Sequence, residues 1–196
     1  MGMTATQIQL KNYDDLRGMP DDGKRYELIH GEIVLSPSPT AKHQRVLGRL
    51  FNRMSALVDA NAQGEAFVAP FDVKFSPYNV VQPDILFISK GSRNALAENS
   101  LNGSPPLVVE ILSPSNRMQD LVQKAAIYAP NEVLEYWVAD PETETIMVYE
   151  LKEGQYVPIE AKSGFAKSIV LSGFDVRLRD VFSEPEWMKT DEPSAK

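Results

Sequence analysis

VQPDILFISKGSRNALAENSLNGSPPLVVEILS, residues 81–113, holds two short apolar runs bounded by prolines and separated by a polar loop at 89–106. Both runs are too short for helices and rich in Val, Ile, Leu and Phe, which makes them core strands. Each carries one carboxylate. Asp84 opens the first run, and alternation places it on the same face as Leu86 and Ile88. Glu110 is the one polar residue inside Leu107–Leu112. A carboxylate in a core strand costs several kcal/mol unless a cation, a proton or hydrogen bonds compensate it. Two of them on neighbouring strands form a natural site for a hard divalent cation such as Mg²⁺. A purely structural arrangement would instead have Asp84 cap a turn and Glu110 pair with a core Arg or Lys.

Upstream, RYELIHGEIVLS (25–36) has β-prone residues on both sides of His30-Gly31, a tight-hairpin signal. Pairing about that turn puts Glu27, Ile29, Glu32 and Val34 on one face. SPSPT (36–40) is a loop whose Ser or Thr can cap the helix after it. AKHQRVLGRLFNRMSALVDA (41–60) is the clearest helix, with Val46, Leu47, Leu50, Phe51, Met54, Leu57 and Val58 at the spacing of one buried face. His43 is central on that face, within about 40° of Leu47, Leu50 and Met54. Lys42, Arg45, Arg49 and Arg53 gather on another face, and 41–58 contains no acid. Such a stripe is either a phosphate-contacting surface or a solvated face.

FVAPFDVKF (67–75) is a further β-rich segment. Downstream, RMQDLVQKAAIYA (117–129) is a second helix, with Met118, Leu121, Val122, Ala125 and Ala129 on one face and Pro130 at its end. Arg117, Lys124 and Tyr128 line a flank of that stripe, so Lys124 can lean toward the sheet. LEYWVAD, ETIMVYEL, GQYVPIE and SIVL (168–171) are strands, the middle two a hairpin-like pair. The polar residues 1–22 lie over the surface with one helical turn at Tyr13–Arg17. The element order gives an α/β fold, a mixed sheet flanked by helices with an N-terminal hairpin and a C-terminal β meander. Length fits one domain, residues 1–182 with a core over about 23–182, followed by a polar tail at 183–196 that is expected to be poorly ordered.

Composition narrows the function. The chain of 196 residues has no cysteine, which excludes disulfides, thiolate metal sites and a cysteine nucleophile. Two histidines make a multi-histidine zinc site improbable. No segment resembles a membrane span, and MGMTATQIQLKNYDDL has no basic start followed by an apolar run. No membrane association or secretory signal is therefore expected, and the expected location is the cytoplasm. The net charge of −7 argues against a broad nucleic-acid-binding surface, which is usually basic. Residues 1–60 hold eight basic and seven acidic side chains, so an anionic partner must meet a local patch.

YELIHGEIVLSPSPTAKHQRVLGRL, VQPDILFI, PPLVVEILSPSNR, DLVQKAAIYAPNEVLEYWVADPET and LSGFDVRLRDVF, in that order and spacing over residues 13–182, resemble a large bacterial restriction-endonuclease family of the PD-(D/E)xK nuclease superfamily. The resemblance implies the restriction-endonuclease-like fold, a central mixed sheet with helices on both sides. It implies that Asp84 and Glu110, with the Ile111 carbonyl, hold Mg²⁺ or Mn²⁺ for hydrolysis of DNA. The superfamily pattern has a lysine two residues after the Glu, and here that position is Leu112. Some members recruit the lysine from the following helix, which makes Lys124 the candidate. Glu27 or Glu32 would supply an extra carboxylate, and His43 would steady the phosphate or a water. Nucleases cutting both strands often act as symmetric dimers, so a homodimer is expected. Two alternatives come from other classes. One is a catalytically degenerate nuclease-fold protein acting as a binding or assembly module. The other is a sugar hydrolase using Asp84 and Glu110 as an acid–base pair, for which the neighbouring aromatic platforms are sparse.

Overall fold

A computed structural model describes residues 10–36, 38–113, 117–159 and 164–188, with the backbone alone at 117–120. The first helical turn is α1, Tyr13–Arg17, with the Asn12 side chain accepting from the Asp14 and Asp15 N–H groups. The hairpin forms as read, β1 (Arg25–Ile29) against β2 (Glu32–Ser36) about His30-Gly31. Both turn residues have positive φ, 50° and 78°, as a two-residue hairpin turn requires. A side chain at Gly31 would also collide with Leu10, whose Cβ would lie 2.9 Å away. The register sets Glu27 opposite Val34 and Ile29 opposite Glu32, so the four share a face. Next comes α2, Ala41–Asn61, whose His43 N–H donates to Thr40 Oγ1 at 3.2 Å. It buries Val46, Leu50, Met54 and Val58 as its spacing predicts.

The following strands are β3 (Gly64–Val68), β4 (Asp72–Ser76), β5 (Asn79–Val81), β6 (Ile85–Ser89), β7 (Ser100–Asn102) and β8 (Leu107–Ile111). Here the sequence reading needs correction. FVAPFDVKF is not one strand, because the chain breaks at Ala69-Pro70 and sends β3 and β4 into different sheets. VQPDILFI divides at Pro83 in the same way, between β5 and β6. Proline has no N–H for a ladder, so a strand ends beside it and the chain is free to change sheets. The polar loop at 89–106 also contains more than a loop, namely a 3-10 helix at Lys90–Ala95 and β7, which pairs in parallel with β4.

Helix α3, Arg117–Tyr128, runs into a 3-10 turn at Ala129–Asn131. The remaining elements are β9 (Glu135–Asp140), β10 (Thr145–Lys152), β11 (Gln155–Ile159), β12 (Phe165–Lys167), β13 (Asp175–Arg177), α4 (Leu178–Phe182) and a 3-10 turn at Glu186–Met188. SIVL is not a strand. The Ile169 and Val170 N–H groups donate to Glu135 Oε2 at 2.7 and 3.0 Å, and Leu171 N–H donates to Ser168 Oγ, which folds the segment into turns. The other Glu135 oxygen accepts from Trp137 Nε1. Glu135 is fully buried, so Glu135→Ala strands three donors. A loss of about 2–3 kcal/mol in urea unfolding is expected, and a loss under 1 kcal/mol would show that water replaces the carboxylate. Residues 189–196 of the expected tail lie outside the described residues, as do the Arg117 and Met118 side chains.

Six strands form the main sheet in the order β11-β10-β9-β8-β6-β3, mixed because β8 and β9 run parallel and the other pairs antiparallel. Of the expected meander β10 and β11 form, pairing antiparallel after β9, while SIVL adds no strand. The hairpin belongs to a second, five-stranded sheet, β2-β1-β5-β4-β7, and β12 and β13 pair separately. Alternation gives the main sheet two apolar faces. Ile85, Phe87, Leu107, Val109, Trp137 and Val148 meet α2, α4 and the β12–β13 region. Leu86, Ile88, Val108, Tyr136 and Val138 meet the second sheet and α3. By the same alternation Asp84 and Glu110 belong to this second face.

Candidate active site

The register that pairs Ile85 with Val109 and Leu86 with Val108 continues to place Asp84 opposite Glu110. The two carboxylates therefore sit side by side on adjacent strands, on one face, as the sequence reading expects. Both are buried. Asp84 Oδ1 accepts from Arg25 Nη1 at 3.0 Å, and its Oδ2 from the Ile111 N–H at 2.8 Å. His43 Nε2 lies 3.2 Å from the same Oδ2. Glu110 Oε1 accepts from Lys124 Nζ at 3.0 Å and from the Tyr128 hydroxyl at 2.5 Å. Lys124 Nζ also stands 3.2 Å from Glu27 Oε1, whose other donor is the Gln82 N–H at 2.7 Å. Ser36 Oγ donates to Glu27 Oε2 at 2.7 Å.

Lys124 is thus not a surface lysine. The sequence reading put Val122 on the buried face of α3, yet Val122 is 64% exposed while Lys124, Ile127 and Tyr128 are buried. The helix is turned so that a cation faces two acids, because two buried carboxylates without one would cost more than exposing a valine. The choice between Glu27 and Glu32 is equally plain. Glu27 is in the cluster, whereas Glu32 is exposed beside the hairpin turn.

The electrostatics follow from three acids facing two permanent cations. Burial pushes Asp84 up, but the His43 hydrogen bond and the Arg25 charge outweigh it and hold the carboxyl at about 2. Glu27 is also held below its ordinary value, burial being outweighed by Lys124, Arg25 and the Gln82 and Ser36 hydrogen bonds. Glu110 carries the imbalance. Burial raises it to about 7, Lys124 opposing and Asp84 and Glu27 adding to the rise. Burial lowers the Lys124 ammonium, and Glu110 and Glu27 more than reverse this, so it stays charged.

Among the described residues no three His, Cys, Asp or Glu side chains converge as a ready-made metal centre. The reason is visible in the hydrogen bonds, since Arg25, Lys124, Ser36 and two backbone N–H groups occupy carboxylate oxygens. Two opposed carboxylates nevertheless match what Mg²⁺ takes from a protein when waters and a phosphate supply the rest.

A family model described as "Putative restriction endonuclease", Uma2, matches residues 11–179. The chain belongs to the Uma2 family. A crystal structure described as a "putative nuclease belonging to DUF820", from Anabaena variabilis ATCC 29413, is similar to it with a TM-score of 0.75 at 20% identity, over 88% of this chain and 97% of that one. That likeness bears out the expected nuclease-type α/β fold. No curated protein matches. Among the described residues no helix is long and apolar enough to cross a membrane.

In this Uma2 chain the basic stripe of α2 does not reach the cluster. Arg49 donates to the Val181 and Ser183 carbonyls at 2.8 and 2.6 Å, and Arg53 to Asp180 at 3.0 Å. Arg45 meets Met188 Sδ and Lys42 meets Glu142. Arg45, Arg49 and Arg53 thus dock α4 and its flanks onto α2, while Lys42 pairs with Glu142 in the turn between β9 and β10. Two partners in the cluster, Arg25 and Gln82, escaped the sequence reading, and a third, Tyr128, was placed on a flank with Lys124 without a role. Arg25 stands two residues before Glu27 on one strand and so shares its face, and Tyr128 is one helical turn after Lys124; both spacings were signals. Gln82 acts on Glu27 through its backbone, which no side-chain pattern announces.

Proposed function

We propose that this chain hydrolyses DNA phosphodiester bonds with Mg²⁺ or Mn²⁺ held by Asp84, Glu110 and the Ile111 carbonyl. The observation that carries the reading is Asp84 buried opposite Glu110 on the neighbouring strand, with Lys124 3.0 Å from Glu110 as a cation that Leu112 cannot provide. The restriction endonuclease description of the family and the nuclease description of the similar structure support the same reaction class. So does the charge of the cluster, which holds one more acid than permanent cations, an imbalance a metal ion would relieve.

A bound ion supplies Lewis acidity toward a phosphoryl oxygen and a water of lowered pKa. The protein groups do the rest. Arg25 and His43 each hold one Asp84 oxygen and fix that carboxylate. Lys124 orients the attacking water and steadies the charge that develops on the phosphoryl oxygens. His43, which lines the cleft, steadies the scissile phosphate. The water oxygen bonds to phosphorus, the ester bond opposite breaks, and the leaving oxygen takes a proton, giving a phosphomonoester and a hydroxyl.

Mn²⁺ titration followed by melting temperature, beside cleavage of plasmid and of single-stranded circular DNA, tests the proposal. The wild type should rise in melting temperature with Mn²⁺ and cut DNA, and Asp84→Ala should do neither. No cleavage across metals and substrates would transfer the reading to a binding or assembly module.

A further inference from the structure

We infer that the cleft admits single-stranded DNA, as a free strand or a flap, and excludes continuous duplex; this rests on the site being the DNA phosphodiesterase proposed above. The reacting groups lie deep. The side chains of Asp84, Glu110, Glu27, Lys124 and His43 are between 3 and 9% exposed. They form the floor of a cleft of about 770 Å³, walled by the hairpin and the residues before it, by α1, and by the approach to α2. A cavity of that size takes a small-molecule-sized guest, roughly 300–1,000 Å³, which for a nucleic acid means one or two nucleotides.

A duplex carries its phosphates along a stiff rod with a persistence length of about 50 nm, which cannot follow the walls into a cleft of this size. A single strand bends at every nucleotide and carries its own unpaired bases. At the cleft wall Tyr26 offers a ring for stacking and Arg17 is exposed for a phosphate, while Lys24, paired with Asp22 at 2.7 Å, exchanges that partner for a phosphate when a strand enters. A duplex needs an extended basic face, and on this chain of net charge −7 three of the four basic side chains of the α2 stripe are committed to α4 and its flanks. One site per chain suffices for such a substrate.

Fluorescence anisotropy in EDTA, with a labelled 30-nucleotide strand, its blunt duplex and a duplex bearing a single-stranded flap, tests the assignment without cleavage. The strand and the flap should bind at least tenfold tighter than the duplex, and Arg17→Glu with Lys24→Glu should remove most of that preference. With Mn²⁺, cuts should fall within the unpaired arm. Duplex bound or cut as well as the single strand overturns the inference and leaves hydrolysis standing. The preference in binding with no cleavage of any substrate supports the cleft assignment and counts against hydrolysis. RNA of the same sequence bound more tightly than DNA overturns the choice of DNA.

Discussion

Lys124→Met should cost about 3–5 kcal/mol of folding stability at pH 8 and less at pH 5. Methionine keeps most of the stem and removes the ammonium that stands 3.0 Å from Glu110 and 3.2 Å from Glu27. Both acids are buried, so at pH 8 each is left with hydrogen bonds and the more distant Arg25 charge. At pH 5 the position differs. Glu110, already raised to about 7 with Lys124 present, is raised further without it and is protonated. A neutral Glu110 needs no cation, so its share of the loss returns and the share of Glu27 stays.

Urea unfolding of wild type and variant at both pH values, in EDTA, measures the difference. A loss below 1 kcal/mol that does not change with pH would mean that water reaches the cluster and screens it. The pH 5 variant, if it folds, also separates structure from chemistry. Returned to pH 7 with Mn²⁺ while still folded, it should fail to cut DNA. Cleavage that survives Lys124→Met would remove the lysine from the mechanism and keep the metal.

Much of this site was legible because a buried charge is an anomaly in an apolar strand. Asp84 and Glu110 could be placed on one face by alternation alone, and the strand order that makes them neighbours came with the family resemblance. His43 was placed at the end of the buried face of α2 by helical spacing, which is where the structure has it. What failed did so where tertiary contacts outvote local pattern. Val122 looked like a core residue and Lys124 like a flank, because hydrophobic periodicity contains no term for two acids waiting across the interface. SIVL has strand composition, yet Glu135, more than thirty residues away, takes its N–H groups. The α2 arginines looked like a nucleic-acid surface because the carbonyls and the acid that engage them come from residues 180–183. The two prolines were visible, but that each marks a change of sheet depended on a second sheet that the strand pattern did not reveal.

Glu110→Gln should make the metal-free protein more stable at pH 8 than the wild type, and should flatten its stability between pH 5 and 8. A carboxyl at about 7 when folded, against its ordinary 4.5 when unfolded, keeps a proton in the folded chain that the unfolded chain has released. Stability from this group is therefore full below about 4.5 and is lost as pH rises through 7. At 1.36 kcal/mol per pH unit the loss is about 3 kcal/mol. Asp84 acts in the opposite direction but only in acid, its contribution vanishing as pH falls from 3.8 toward 2, so it cannot cancel the slope above pH 5. Glutamine copies the protonated form, its carbonyl accepting from Lys124 and Tyr128, and has nothing to titrate. Lys124 keeps Glu27, and Arg25 keeps Asp84, so two acids then face two cations. Unfolding in EDTA at pH 5, 6, 7 and 8 should show the wild type declining and the variant level. Mn²⁺ should restore the wild type at pH 8 and do nothing for Glu110→Gln, since the ion takes the place of the proton on a ligand the variant lacks. A variant less stable than wild type at pH 8 would instead make Glu110 and Lys124 a structural ion pair, with the metal left to Asp84 alone.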